Sequence, residues 1–151
     1  MTHTHPVVVE GAVIQAVVAD HTLRDDFEPD RPLADFDELI ETEQFRTKFE
    51  ALGRSLERGD DEYARLHLGC WVAADKSVLT ALYCFLQSTD FEDTIRLVLF
   101  IGEDTDTIGA MAGALAGARY GVQSIPGSWV VEGYRRMVAF ADAMFERVES
   151  D

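Results

Sequence analysis

The chain has 151 residues, 47% of them hydrophobic, and carries a formal net charge of −15 at neutral pH. This length and hydrophobic share predict one globular domain over residues 1–151 with a buried core. The acidic excess argues against binding to nucleic acid and against contact with anionic membranes, because both require clustered lysine and arginine.

The hydrophobic pattern predicts helices in the first half of the chain. Residues 7–19 (VVVEGAVIQAVVA) form an apolar run whose length and alanines favour a helix buried on most of its faces. Two prolines and five acidic residues predict a surface loop over 20–34. From Asp35 to Arg58, apolar residues recur at gaps of three to five, which predicts one long amphipathic helix capped by Asp35 and ended by Gly59.

The second half continues this pattern. We predict a short helix around 61–68, a mostly buried helix over 74–87, and a helix over 91–100 that Thr89 and Asp90 cap. Residues 129–148 form a last amphipathic helix after the turn at Ile125–Ser128. The total is six or seven helices and no convincing strand, so the predicted fold class is all-α.

Glycines recur every four residues along the segment 101–121, at Gly109, Gly113 and Gly117, and Gly121 can end the helix. Each interior glycine costs roughly 1 kcal/mol relative to alanine. Residues four apart form a ridge on a helix, so the pattern predicts that another helix approaches this one very closely.

Cysteine usage and the N-terminal sequence bear on the compartment. Cys70 and Cys84 both stand among apolar residues, which favours buried free thiols over a disulfide scaffold. No apolar run reaches the roughly 18 residues of a membrane span. The start MTHTHPVVVE lacks the basic region and the cleavage site of a secretory signal. We therefore expect a cytoplasmic protein.

The segment Asp104-Thr105-Asp106-Thr107 is the candidate site. At a helix start, the side chains of Asp104, Asp106 and Thr107 can converge on one point, and such a set of hard oxygens suits magnesium or manganese. The alternative is that these residues only cap the helix, as acids and threonines often do. The glycine-rich helix behind the segment favours the metal site, which would have three protein ligands.

Histidines near the N-terminus are a second feature. His3 and His5 stand directly before the predicted helix at 7–19. They are either an exposed pair at a free terminus or a polar contact to a phosphate or ribose at the helix start. We assign His21 and His67 structural roles.

Four blocks, in order, resemble the ADP-ribosylglycohydrolase family. THTHPVVVEGAVIQA resembles the family's THxxP…GA stretch, and LGCWVAADKSVLTALYCFL resembles its LGxGWVAxESVPxALYxFL helix. DFEDTIRLVLFIGEDTDTIGAMAGALAGARYG is similar to the signature DFExAIxxAxxxGGDTDTxAAMAGAxxGAxYG, and IPGSWVVEGY to the IPxxW segment that follows. Glu103 stands where the signature has glycine, and Leu79 where the SVP element has proline.

This resemblance implies a fold, a cofactor and site residues. The fold would be the family's all-α orthogonal bundle, and the family carries a pair of divalent metals, magnesium or manganese. The resemblance assigns Asp104, Asp106 and Thr107 as metal ligands, and of these we expect Asp104 to be the catalytic carboxylate nearest the attacking water. It places His5 at the ADP-ribose and Val72 near the adenine. The partner would be an ADP-ribosylated protein or a small molecule that contains ADP-ribose.

The resemblance covers only the C-terminal part of the family's pattern. The family's N-terminal helices, which carry an acidic residue and a Thr-Asp-Asp motif that complete the metal pair, have no counterpart in this sequence. Two hypotheses follow: a metal-dependent hydrolase of the glycosidic bond that needs that other half, or a non-enzymatic helical interaction module. Because missing helices would expose apolar surface, we expect a homo-oligomer or a complex with a chain that supplies them.

Overall fold

The computed structural model describes residues 4–24, 27, 37–69, 74–102, 104–129 and 131–149. Over these ranges the chain is helical and contains no β-strand, which confirms the all-α prediction. Short 3₁₀ turns accompany the α-helices at Asp37–Leu39, Val122–Ser124 and Gly127–Trp129. The α-helices are α1 (Pro6–Thr22), α2 (Glu43–Arg58), α3 (Asp61–Leu68), α4 (Ala74–Gln87), α5 (Phe91–Ile101), α6 (Thr105–Tyr120) and α7 (Tyr134–Glu149).

Helix α4 forms the centre of the core. It packs against α1, α2, α3, α5 and α6, and every residue from Ser77 to Phe85 is buried. A helix enclosed in this way needs apolar residues on all its faces, as the run VLTALYCFL supplies. Its buried hydroxyls have partners: the Thr80 hydroxyl donates to the Gly69 carbonyl and the Tyr83 hydroxyl to Asp61 Oδ1, each at 2.7 Å.

Helix α2 begins much later than the sequence pattern indicates. The predicted helix from Asp35 is wrong over its first part: the chain makes a 3₁₀ turn at Asp37–Leu39, and α2 starts only at Glu43. Asp35 itself lies outside the described residues. The N-cap is Thr42, whose hydroxyl accepts from the Phe45 backbone N–H at 3.3 Å, and Gly59 ends the helix at φ 59°, as predicted.

The late start of α2 is explained by a buried carboxylate on α1. Glu10, only 8% exposed, accepts hydrogen bonds from the backbone N–H groups of Glu41 (2.8 Å) and Thr42 (3.2 Å). It also accepts from the Thr42 hydroxyl at 2.5 Å. These bonds hold residues 41 and 42 in a non-helical conformation, so the helical periodicity before them is not realised.

Helix α1 buries one face rather than most of its surface. Val7, Gly11, Ile14 and Val18 are buried at helical spacing, whereas Val13 is 43% exposed. The prediction of burial on most faces is therefore wrong for the described part of the chain. The run still forms a helix, and two of its three exposed positions, Ala12 and Ala16, are small residues.

The glycine ridge of α6 packs less closely than predicted. A Cβ added at Gly109 would lie 3.7 Å from Val98 Cγ1, and one at Gly113 would lie 3.5 Å from Ile95 Cδ1, both ordinary van der Waals distances on α5. At Gly117 no described atom lies within 4 Å of an added Cβ. These contacts also show that α5 and α6 run antiparallel.

We therefore expect Gly117→Ala to stabilise the chain by roughly 0.5–1 kcal/mol, because alanine favours the helix and meets no neighbour. Gly11→Ala is the matched control: its Cβ would come within 3.2 Å of both Phe45 Cζ and Val78 Cγ2, and this crowding should cancel the gain. Urea unfolding of both variants measures the difference. A destabilised Gly117→Ala variant would mean that the ridge is closely covered after all.

Candidate metal site at the start of helix α6

The candidate residues follow a sharp chain reversal between two antiparallel helices. Helix α5 ends at Gly102, whose φ of 84° suits glycine and whose N–H donates to the Val98 carbonyl at 3.0 Å. Two residues later Asp104 occupies the N-cap position of α6, and its carbonyl accepts from the Ile108 N–H at 3.0 Å. The reversal therefore places Asp104, Asp106 and Thr107 together within the first turn of one rigid helix.

Asp104 does not act as a helix cap. The side chains of Thr42, Asp60 and Asp90 accept cap hydrogen bonds at the starts of α2, α3 and α5, as the sequence predicts for Asp90. Asp104 has φ −82° and ψ 55°, and its side chain makes no such bond. The capping alternative thus accounts for the acids at other helix starts but not for Asp104.

The Asp104 carboxylate instead has one oxygen atom that is available to bind a cation. Its Oδ2 atom is buried and has no hydrogen-bond partner among the described residues. Buried carboxylate oxygens are normally paired, because leaving one unpaired costs the full desolvation free energy. Such an oxygen can act as a ligand to a hard divalent cation, so these residues fit the metal that the resemblance implies.

Asp106 is the acidic neighbour of Asp104 in the first turn of α6. The Asp104 carboxyl, which hydrogen-bonds to it, lowers the pKa of Asp106 below its usual value, and the Thr107 backbone N–H, donating to Asp106 Oδ1 at 3.0 Å, lowers it further. Asp106 and Thr107 are both exposed. The site is thus a pair of adjacent carboxyl groups, one oxygen of which is buried, with an open outer side.

The described residues supply only part of a coordination shell. Among them, no group of three or more histidine, cysteine, aspartate or glutamate side chains is arranged to hold a metal. Two carboxylates and one hydroxyl would leave about half of an octahedral shell to water or substrate oxygens. Glu103, beside the site in sequence, lies outside the described residues.

The two other predicted site residues are on different elements. His5 is exposed at the N-cap of α1, and its carbonyl accepts from Val8 and Val9 while its ring makes no cap bond. Helix α1 contacts α6 where Gln15 Nε2 donates to the Met111 carbonyl at 3.1 Å. Measured along the axis of α1, His5 lies about 15 Å from Gln15. Val72 lies outside the described residues, in the segment before α4.

A cavity of about 310 Å³ opens beside the first turns of α1. Pro6, Val9 and Val13 form its apolar side, while Glu38 and Glu41 add acidic groups. The negative charge of these carboxylates is unfavourable for a phosphate. The cavity therefore does not offer His5 a neighbouring phosphate site.

Sequence reasoning missed the polar residues that connect these elements. Glu10 anchors the start of α2, and Gln15 joins α1 to the helix that carries the candidate site. The available signal was that both are polar residues inside an otherwise apolar run, where an uncompensated polar group is costly. Cys84 is buried as predicted, and burial raises the pKa of its thiol, so it stays protonated and unreactive at neutral pH.

Comparison with known proteins shows which family the chain belongs to. The chain matches the family model of ADP-ribosylglycohydrolase over residues 1–151. It is 30% identical over 177 aligned positions to ADP-ribosylhydrolase ARH3 of Homo sapiens, covering 95% of this chain and 49% of that protein. Over 75 positions it is 47% identical to ADP-ribosylhydrolase ARH3 of Danio rerio, covering 42% of this chain and 20% of the relative.

A bacterial relative has a name that specifies its substrate. ADP-ribosylarginine hydrolase Tri1 of Pseudomonas putida is 38% identical over 69 positions, which cover 44% of this chain and 19% of that protein. The chain therefore belongs to the ADP-ribosylglycohydrolase family. It spans about half the length of the human relative.

Proposed function

We propose that this chain contributes to the hydrolysis of the glycosidic bond between ADP-ribose and an acceptor, with magnesium or manganese held by Asp104, Asp106 and Thr107. The observation that carries the proposal is Oδ2 of Asp104, which is buried and has no hydrogen-bond partner in the described part of the chain, beside the Asp106 carboxyl. Membership of the family supports the substrate class. The name of the Pseudomonas relative specifies ADP-ribosylarginine. The substrate that we propose for this chain is an ADP-ribosylated protein or a small molecule that contains ADP-ribose.

Each residue has a role in this hydrolysis. A divalent cation held there would supply positive charge next to the oxygens of the reacting centre. Asp104 accepts the proton of the attacking water, whose oxygen bonds to the ribose C1 as the bond from C1 to the acceptor breaks. Asp106 and Thr107 line the open side of the site, and the ribose hydroxyls enter from that side. Asp104 then passes that proton to the departing acceptor.

The remaining site residues and the compartment belong to the same proposal. His5, exposed at the start of α1, contacts the ADP-ribose, and Val72 lies near its adenine. The reaction takes place in the cytoplasm. No described helix is long and apolar enough to cross a membrane.

Metal binding can be tested by calorimetric titration with Mn²⁺ and with Mg²⁺. We expect binding weaker than micromolar, because the three protein ligands fill about half of an octahedral shell. Asp106→Ala should weaken it at least about tenfold, the scale of losses at metal sites. Asp142→Ala, an exposed acid on α7, is the matched control and should leave the affinity unchanged. Equal affinities for Asp106→Ala and wild type would disprove this site.

Hydrolysis is tested separately with peptides that carry ADP-ribosyl-arginine or ADP-ribosyl-serine. Release of ADP-ribose that requires Mn²⁺ or Mg²⁺ and is lost in Asp104→Asn supports the proposal. We expect the loss to be about 100-fold or more, the usual contribution of a positioned acid–base group.

A non-enzymatic interaction module is the second candidate function. Two observations favour it: the described residues lack a cluster of three metal-binding acids or histidines, and α7 exposes several large apolar side chains. This candidate predicts that no ADP-ribose is released from either peptide under any metal condition. The hydrolysis assay therefore separates the hydrolase from the module.

A further inference from the structure

The cavity beside the first turns of α1 has a lining that suits an organic cation. It lies between α1 and the chain that leads into α2, and its volume of about 310 Å³ falls at the small end of the range for ligand pockets. One wall is apolar and consists of Pro6, Val9 and Val13, whose spacing places them on one face of α1. The other wall brings two acidic side chains, Glu38 and Glu41, to the same space.

A third carboxylate, that of Glu10, also lines the cavity and is almost completely buried. It accepts three hydrogen bonds, from the backbone N–H groups of Glu41 and Thr42 and from the Thr42 hydroxyl. A carboxylate has about four lone-pair sites, so Glu10 can accept one bond more. The three bonds also fix the backbone at Glu41, so this wall of the cavity is in place before any ligand binds.

The three glutamates have no counter-ion within the described ranges. No ion pair joins Glu10, Glu38 or Glu41 to a basic side chain there, whereas nearby Asp37 is paired with Arg46 at 3.1 Å. Three carboxylates around one small space favour a cation. A metal ion would contact only the carboxylates, whereas an organic cation with an aliphatic stem contacts the apolar wall as well.

We propose that this cavity binds the side chain of an arginine from a protein or peptide. The aliphatic stem packs against Val9 and Val13, and the guanidinium group donates hydrogen bonds to the carboxylates of Glu38 and Glu41. A guanidinium group is planar, always charged and more weakly hydrated than an ammonium group, so it is the cation best suited to a place beside an apolar wall. This binding requires neither a metal nor ADP-ribose, so it holds or fails independently of the proposed hydrolysis.

Titration of the isotope-labelled chain, followed by nuclear magnetic resonance, tests the site. The probe is Nα-acetyl-arginine methylamide, and Nα-acetyl-citrulline methylamide is its neutral counterpart of the same shape. We expect the arginine compound to shift the amide signals of Val9, Val13 and Leu39, with an affinity that falls as NaCl is added. The citrulline compound should bind at least about threefold more weakly. No binding, shifts confined to other residues, or equal affinities for the two compounds would overturn the proposal.

Two double variants test which carboxylates bind the guanidinium group. Glu38→Gln with Glu41→Gln keeps the size of both side chains and should weaken binding of the arginine compound at least about threefold. Both glutamates are exposed, so this variant should keep its helical circular dichroism. Glu57→Gln with Asp142→Asn, at two exposed acids on α2 and α7, is the matched control because it removes the same charge, and it should leave the affinity unchanged. Equal weakening in both variants would show a response to net charge alone and would overturn the proposal.

Discussion

Replacing Glu10 by alanine is expected to destabilise the folded chain by about 3 kcal/mol. Its carboxylate accepts from two backbone N–H groups and from the Thr42 hydroxyl, and it is 8% exposed. Removing it leaves those donors without their acceptor and opens a gap between α1 and α2. Unfolding in urea, followed by circular dichroism, measures the change in the free energy of unfolding.

A double-mutant cycle separates the hydrogen bond from the loss of side-chain volume. Glu10→Gln keeps the size of the side chain but replaces one acceptor oxygen with a donor, so we expect roughly half of the alanine effect. Thr42→Val removes the hydroxyl, and a coupling energy of about 1 kcal/mol or more between the two positions is expected. Additive effects would show that the bond from the Thr42 hydroxyl to Glu10 does not contribute to stability.

Ile108→Ala is the second large expected effect, a loss of about 2–5 kcal/mol, the range for such truncations in a core. Ile108 has 0% exposure and lies in the first turn of α6, one residue after Thr107. The truncation leaves a cavity beneath the candidate site. Thermal unfolding measures the loss, and Ile108→Val should cost only about 0.5–1.5 kcal/mol.

The same variant tests how far the core supports the site. Asp104, Asp106 and Thr107 keep their identities in Ile108→Ala, yet the helix that orients them is less firmly packed. We therefore expect weaker Mn²⁺ binding in Ile108→Ala, measured below its unfolding temperature. Leu99→Ala, an exposed position on α5, should change neither stability nor affinity appreciably. Unchanged affinity in Ile108→Ala would mean that local bonds alone position the ligands.

Helix-forming segments and most of their ends could be predicted because they depend on local chemistry. Asp90 caps α5 and Gly59 ends α2 at positive φ, both through residues adjacent in sequence. Helix α4 could be placed because its apolar composition suits a central position. The same local reasoning failed for the start of α2, where the bonds that decide the backbone come from Glu10, more than thirty residues earlier.

The candidate site shows the same division. The sequence by itself determined which residues stand together, because Asp104, Asp106 and Thr107 fall within one helical turn, and its four motif blocks determined the family. Only the tertiary structure decided that Oδ2 of Asp104 is buried without a hydrogen-bond partner among the described residues, and that this side chain does not cap α6. It also decided that the glycines of α6 meet α5 at ordinary distances. Burial and contact distance depend on neighbours far away in sequence, and a single chain's local pattern does not encode them directly.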